Sequence, residues 1–564
     1  PHGVIDNLAK LTGQSYDQKH AYFVDGSPMT GDADLGENGT ADGVSHTTDW
    51  STVLVGTLGL GGKGYFVLDV TDPTSFTNSK VLTDRTRSGS DPKQDCTKLP
   101  TGAAKTTCEE KADIGYITAA PAFDQANQAK AAQIVRMNNN RWAVVLGNGY
   151  NSESHDAVLL IQYLDGDKKL KRILAPRANY INNKSSCSGS GTDNCDNGLS
   201  TPRLVDLDSD GRPDVAYAGD NYGHMWKFDL TSGNDAEWTT AFGGRPLFAA
   251  NGPSSNKVGD DTNRNVPQAI TAPPLVRAND LGIRALMVAF GTGRNVDTCD
   301  PFVIVTGGGA GVGGSPGVCS STTANAVQTL YSILDRTTYS YRTPLGGTTS
   351  TRLQVNNIHE SPVSIGNSKY AGGSPDKLNQ RTIQSIGTSG GVDYFTITGA
   401  GANFSGTCSG SSCEEGWFMD LGTDGTAGTG ERVLKALQFY QGTNIIAMYS
   451  GTPAKGSNNA GGESCDSSSG TDETQFLTFL NIMNGNTSSF GILDMNGDGK
   501  FDTGVASPDK NATRISTPPG DNTLMSTTGA NGKEDHCNFD SNNKCTKLAP
   551  VPEVSMRPNW RQIE

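Results

Sequence analysis

Ser200-Thr201-Pro202-Arg203-Leu204-Val205-Asp206-Leu207-Asp208-Ser209-Asp210-Gly211-Arg212-Pro213-Asp214-Val215-Ala216-Tyr217-Ala218-Gly219 places an acidic loop between two alternating segments. Asp206, Asp208, Asp210 and Asp214 fall at loop positions 1, 3, 5 and 9, so alternate side chains turn inward and converge oxygen atoms on one point, a pattern that suits calcium. Gly211 at position 6 permits the sharp turn, and the carbonyl of Arg212 is free to act as the position-7 ligand. A helix–loop–helix hand needs a bidentate Glu at position 12. That position holds Tyr217, in a segment that alternates like a strand, and Pro202 with Arg203-Leu204-Val205 reads as a strand before the loop. The expectation is calcium in a strand-to-strand loop, bound more weakly than by a cytosolic buffer because two oxygen ligands are lost with the Glu.

Outward from the loop, the same composite unit recurs. His224-Met225-Trp226-Lys227-Phe228-Asp229 follows Val215 to Gly219, as Leu159 to Tyr163 follows Ala143-Val144-Val145-Leu146-Gly147. Val53 to Gly56 with Tyr65 to Val70, and Leu286 to Gly291 with Leu330 to Asp335, are further copies, while Trp417 to Leu421 and Ile445 to Gly451 read as parts of later ones. A Pro-led segment precedes several of them: Thr118 to Phe123, Ser200 to Val205 and Thr271 to Val276. A Pro-led strand joined to a later hairpin implies a four-stranded blade repeated around an axis. The spacing of about 70–80 residues exceeds a minimal blade, so the blades carry long insertions. A set of separate β-sandwich domains is the alternative, but linker-like breaks between copies are missing. Helix is scarce, and the best candidate, Glu431 to Gln438, reads equally well as a strand.

Composition agrees with a turn-rich β protein: Gly is 70 of 564 residues and hydrophobic residues are 34%. No apolar run approaches the ~18 residues of a membrane span. The formal charge of -14 with no compensating basic block argues against nucleic-acid or anionic-membrane partners. The 11 cysteines fall largely into close neighbours, Cys96 with Cys108, Cys187 with Cys195, Cys299 with Cys319, Cys408 with Cys413 and Cys537 with Cys545, which read as disulfides closing surface loops in an oxidising compartment. Cys465 is left over, and zinc-type spacing is missing.

A second acidic loop, Asp494-Met495-Asn496-Gly497-Asp498-Gly499-Lys500-Phe501-Asp502, repeats the pattern with Asp494, Asn496, Asp498 and Asp502 as side-chain ligands and the Lys500 carbonyl between them. Position 12 is Val505, and one neutral ligand replaces a carboxylate, so weaker binding is expected. Other motifs dissolve on inspection. Gly59 to Gly64 matches a dinucleotide pattern but runs into a strand, where no helix N-terminus can hold a pyrophosphate. Gly313-Gly314-Ser315-Pro316-Gly317 lacks an oxyanion-hole N–H because proline follows the serine, and Gly387-Thr388-Ser389-Gly390-Gly391 runs into the strand Val392 to Ile397. The histidines, among them His2, His20, His46 and His155, have no metal or catalytic spacing. No catalytic residue is expected, and the protein reads as a non-enzyme.

Tyr22 to Pro28, Gly62 to Thr71, Leu146 to Ser152, Ala218-Gly219-Asp220 with Trp226 to Leu230, and the closing Asn559-Trp560-Arg561-Gln562-Ile563 together resemble the C-terminal domain of the PilY/PilC family, calcium-binding tip adhesins and assembly factors of bacterial type IV pili. The resemblance is strongest before Asn295, with Thr298 to Ala326 and Ser457 to Ser469 reading as private insertions. It implies an all-β, modified seven-bladed β-propeller with long loop insertions. It also implies one or two Ca2+ ions, the first on Asp206, Asp208, Asp210, Arg212 and Asp214, with occupancy controlling pilus extension against retraction. Minor pilins and a host or abiotic surface receptor are the implied partners, at a pilus tip, outer-membrane-associated or periplasmic location. The Asp494 to Asp502 loop is the counterpart of a second site linked to adhesion in some members; the Arg-Gly-Asp triplet of some members is absent. The expected organisation is a lead-in segment over 1–20 from a missing N-terminal region, a propeller over 21–520 and a disulfide-looped tail over 521–564 packing on it. Two other readings stand beside this one. A quinoprotein dehydrogenase is also a calcium-containing propeller, though the adjacent Cys-Cys pair typical of many is missing; a calcium-braced extracellular binding propeller is the other.

Overall fold

The structure, a computed structural model, describes residues 1–13, 21–36, 48–87, 95–124, 131–176, 197–261, 263–281, 283–295, 326–342, 352–357, 363–364, 378–404, 414–452, 473–496, 498, 500–501, 511–520, 522–528, 534–540 and 543–550. Strands are the main regular element among the described residues. β1 (Met29–Asp34), β2 (Trp50–Thr57), β3 (Tyr65–Asp69) and β4 (Val81–Asp84) form one antiparallel sheet, and β5 (Ile134–Arg136), β6 (Trp142–Gly147), β7 (Ala157–Tyr163) and β8 (Leu170–Ala175) a second. The third contains β9 (Arg203–Val205), β10 (Val215–Gly219), β11 (His224–Asp229), β12 (Thr239–Thr240) and β13 (Phe248–Ala249). β14 (Asn251–Pro253) and β15 (Arg264–Pro267) make a short hairpin.

β16 (Leu275–Ala278), β17 (Leu286–Gly291) and β18 (Thr329–Asp335) begin a fourth unit; β19 (Thr338–Arg342) pairs with β20 (Arg352–Asn357), and β21 (Val363–Ser364) returns to β13. β22 (Leu378–Ser389), β23 (Val392–Thr398) and β24 (Gly416–Thr423) then join this unit to β25 (Gln438–Phe439), β26 (Ile445–Thr452), β27 (Thr474–Asn481) and β28 (Arg514–Thr517) in one 10-stranded sheet. Five hairpin-based units are thus traced among the described residues, two of them merged in that sheet; the count of seven belongs to the resemblance. β29 (Thr523–Thr528), β30 (Glu534–Phe539) and β31 (Cys545–Leu548) close the described chain.

The side-chain period of two explains how the units stack. On β6 and β7, Val144, Leu146, Val158 and Leu160 pack against Val53, Val55 and Val67 of the first sheet, while Ala143, Val145, Leu159 and Ile161 pack against Ala216, Ala218, Trp226 and Phe228 of the third. Both faces of the hairpin are therefore apolar and buried. The third unit's other face, Val215, Tyr217 and Met225, meets Val288, Phe290, Tyr331 and Ile333, and Met287, Ala289 and Leu330 go on to meet Ile446, Met448 and Leu480. Successive sheets packed face to face in chain order form a β-propeller. Gly147, Gly219 and Gly291 end equivalent strands, and each lies where a Cβ would strike the next segment: 2.0 Å from the Ser200 carbonyl oxygen, 2.4 Å from Ile270 Cβ and 2.3 Å from Val433 Cβ.

Buried ion pairs join segments distant in sequence: Lys227 Nζ lies 2.5 Å from Asp335 Oδ2 between the third and fourth units, Arg264 holds Asp420 through two contacts of 2.9 Å, and Arg514 holds Glu431 within the last unit through two of 2.8 Å. Their hydrogen bonds come from matched partners, Tyr217 Oη donating to Asp335 at 2.6 Å and Thr329 Oγ1 to Asp420 at 2.7 Å. Such pairs define which faces meet more than they add net stability.

The hairpin expectations hold at all four units read as strand pairs. Separately, Gly390 and Gly391 take φ 58° and 81° in the turn between β22 and β23, and the strand that follows in place of a helix rules out a nucleophile elbow. One Pro-led segment behaves otherwise. Phe123 makes only an isolated bridge to Ala131, and the strand beside β6 is Ile134–Arg136; the Gln133 side chain takes the Ala122 amide and donates to the Val145 carbonyl, both at 2.8 Å, in place of a ladder. The helix Ala103–Asp113 escapes the sequence reading, while Glu431 to Gln438 forms no helix: Arg432 is bridged to Gly451 and Gln438 begins β25. Cys96–Cys108 and Cys537–Cys545 are disulfides; the other expected pairs, and Cys465, lie outside the described residues. The tail sheet meets the last unit through Leu548 and through Tyr449 Oη, which donates to Asn538 at 2.6 Å. At the other end, the His2 amide donates to Asp84 at 2.7 Å.

Candidate metal site

β9 and β10 pair at Val205 and Val215, and the Asp214 amide donates to the Val205 carbonyl at 2.9 Å, so the acidic loop is pinched at its neck. Within it, Asp206 Oδ1 accepts from the amides of Asp208 (3.2 Å) and Ser209 (2.7 Å), and Oδ2 from Gly211 (2.8 Å). Asp208 Oδ1 takes the Asp210 amide at 3.2 Å, and Asp210 Oδ1 takes the Arg212 amide at 2.8 Å. The loop's own N–H groups thus aim its carboxylates. Ser209 and Gly211 adopt φ of 65° and 84°; a Cβ at Gly211 would meet nothing within 4 Å, so glycine serves there for conformation and not for space.

The result is convergence. One oxygen from each of Asp206, Asp208 and Asp210 lies within 4.8 Å of the others, the one such group of His, Cys, Asp and Glu among the described residues. An all-oxygen donor set of this charge fits a hard divalent cation, and calcium over softer metals. Burial first, and then the neighbouring Asp210 and Asp206 carboxylates, push the Asp208 carboxyl up. The Arg212 guanidinium sits 3.3 Å from Asp210 Oδ2 at the surface and relieves little of this.

Asp214 stands apart from the three. It is 2% exposed at the base of the loop, where Oδ2 accepts the Leu207 amide at 2.8 Å and Oδ1 accepts from Asn138 at 3.2 Å. Burial pushes its carboxyl up to about 6, against those hydrogen bonds and with help from Asp208 and Asp206. The side chains of Asp206, Asp208 and Asp210 are therefore brought together, and Asp214 ties the loop to the blade.

The second loop shows the same side-chain-to-amide ladder: the Asp498 amide donates to Asn496 Oδ1 at 2.9 Å and the Lys500 amide to Asp498 Oδ1 at 2.8 Å. The Asp494 carbonyl accepts from Tyr394 Oη at 3.1 Å. Gly497, Gly499 and Asp502 lie outside the described residues.

Sequence reading missed Asn138. In the turn between β5 and β6, the Met137 amide donates to the Arg141 carbonyl at 2.8 Å, Asn140 takes the left-handed position at φ 67°, and Asn139 Oδ1 accepts the Arg141 amide at 3.2 Å. Asn138 has no turn duty, and its Nδ2 reaches the Pro213 carbonyl (3.1 Å), Asp214 Oδ1 (3.2 Å) and the Leu230 carbonyl (3.0 Å). Three consecutive asparagines, more than the turn uses, are the only trace of it in the sequence.

The fold and this loop define an all-β propeller carrying, on one blade, an acidic loop whose carboxylates converge. The chain belongs to the PilY1 beta-propeller domain family, whose model matches residues 2–313. It is similar along its whole length to the type IV pilus biogenesis factor PilY1 of Pseudomonas aeruginosa, 27% identical over 586 residues, and spans 39% of that protein's length. A PilY1 homolog of Xylella fastidiosa is 31% identical over 261 residues, which cover 45% of this chain and 14% of the relative. The crystal structure of the P. aeruginosa PilY1 C-terminal domain shares the fold, with a TM-score of 0.60 at 23% identity over 98% of this chain and 88% of that one.

Proposed function

We propose that this chain is the calcium-responsive propeller of a type IV pilus biogenesis factor and tip adhesin, acting without catalysis in pilus extension and retraction, twitching motility and surface attachment. The observation that carries it is the convergence of Asp206, Asp208 and Asp210 oxygens within 4.8 Å, in a chain matched end to end by proteins named as pilus biogenesis factors. Empty, these carboxylates repel; a divalent cation replaces repulsion with short oxygen contacts and stiffens the loop between β9 and β10. The Arg212 carbonyl and Asp214 complete the first ligand set, and Asp494, Asn496, Asp498, Lys500 and Asp502 hold a second ion. The partners are minor pilins and a surface receptor. The Cys96–Cys108 and Cys537–Cys545 disulfides support an oxidising, surface or periplasmic location. Among the described residues no helix is long and apolar enough to cross a membrane.

Isothermal titration tests the site. Asp210→Ala is expected to lose the first calcium with the propeller still folded; undiminished stoichiometry in that variant would sink the assignment. Deletion of the gene, complemented by wild type or Asp210→Ala and scored for surface pili and twitching at low and high calcium, tests the role. Normal piliation in the deletion strain removes it.

A further inference from the structure

The acidic loop is not held by its own blade alone. Its base carries a buried carboxylate, Asp214, whose Oδ1 is met from the second blade by Asn138, and the same amide nitrogen also takes the Pro213 and Leu230 carbonyls. Leu230 is itself tied to the loop's end, its amide donating to the Asp214 carbonyl at 2.8 Å. One side chain from the turn between β5 and β6 thus spans the loop's last residue and the segment after β11.

A second bridge runs beside it. Asn139 Nδ2 donates to Tyr163 Oη at 2.7 Å, and that hydroxyl donates to Asp235 Oδ2 of the third unit at 2.7 Å. The ring of Tyr163 lies under the Arg141 guanidinium, 3.9 Å from its centroid, and Arg141 is anchored on Asp165 at 2.8 Å. The turn 137–141 is therefore fixed on its own blade by Arg141 and fixed to the next by Asn138 and Asn139. A loop that tightens moves Asp214 and Pro213 only by working against this turn.

We infer that Asn138 is a positioning residue for the cation, and that ion binding in the 206–214 loop is transmitted through it to the second blade, at residues that contact no ion. This rests on the calcium reading of the loop. Asn138 is neutral and donates, so it orients Asp214 without competing for the ion, and it leaves the lone pairs of the convergent carboxylates untouched. Coupling of this kind is reciprocal: whatever the ion does to the turn, the turn does to the ion's affinity.

The test is hydrogen exchange of the whole chain, with calcium alone as the probe, read at residues 206–214 and 137–141. Calcium is expected to slow exchange in both segments of the wild type. Asn138→Ala removes bonds to a neutral donor and is expected to weaken calcium about tenfold, while loop protection survives at saturating ion and protection of 137–141 is lost. Asn138→Asp, of equal size but facing Asp214 with an acceptor, is expected to weaken binding further, which a merely space-filling role would not produce. Asp210→Ala leaves the second blade untouched, so loss of protection at 137–141 in that variant supports transmission from the loop. Protection confined to 206–214 in the wild type overturns the inference and leaves the calcium reading standing; no calcium effect in either segment overturns both.

Discussion

Asp220, the residue after the third unit's strand-ending glycine, shows how one side chain organises a blade. It is fully buried and accepts from Asn197 Nδ2 (3.0 Å), the amides of Tyr222 and His224 (2.9 Å each), His224 Nδ1 (3.0 Å) and Trp226 Nε1 (2.8 Å). Burial works against its charge, yet His224 and the donors hold its carboxyl below the usual range. Burial likewise pulls His224 down, and Asp220 outweighs it, so the imidazole is raised above its ordinary 6.5. A histidine with a raised folded pKa contributes stability that is complete below 6.5 and is lost as pH rises through the raised value. His224→Gln is therefore expected to lower the melting temperature most at acid pH, with the gap to wild type narrowing towards alkaline pH. A gap constant from about pH 5 to 9 would show that the ring contributes by packing alone.

At the scale of the element, the strand-ending glycines govern how closely blades approach. Gly219 lies outside the positive-φ set, so alanine suits its backbone, but the new methyl would stand 2.3 Å from Ile270 Cγ2 and 2.7 Å from the Ile270 carbonyl oxygen. Gly219→Ala is expected to cost about 1–3 kcal/mol by overpacking, measured as a drop in denaturant midpoint. An unchanged midpoint would mean that the segment carrying Ile270 yields freely. The glycine was visible in the sequence as the end of a repeated unit; its reason was not, because Ile270 lies 51 residues further on.

For the whole molecule, a ligand that binds only the folded state adds stability by mass action. Calcium at a hundred times its Kd contributes about 2.7 kcal/mol. Spread over the unfolding entropy of a 564-residue chain, that raises Tm by only roughly 2 °C if the propeller melts as one unit. The expected outcome is a small, saturable rise on calcium addition that a chelator reverses and that Asp210→Ala reduces to the share of the second loop. No shift at millimolar calcium would count against both loops. A rise confined to one of two transitions would show that the merged 10-stranded sheet and the first three units unfold separately.

The strands, their hairpins and the acidic spacing were legible from residue order, because side-chain period, glycine turns and i, i+2 carboxylates are local properties of a chain. So were two of the disulfides, which close short loops. The merging of the last units through β22 to β24, the buried Lys227–Asp335 pair 108 residues apart, and the reach of Asn138 to Asp214 across 76 were decided only by tertiary structure. Each depends on which faces meet after folding, and a hydrogen bond between distant residues leaves no periodic trace in either partner.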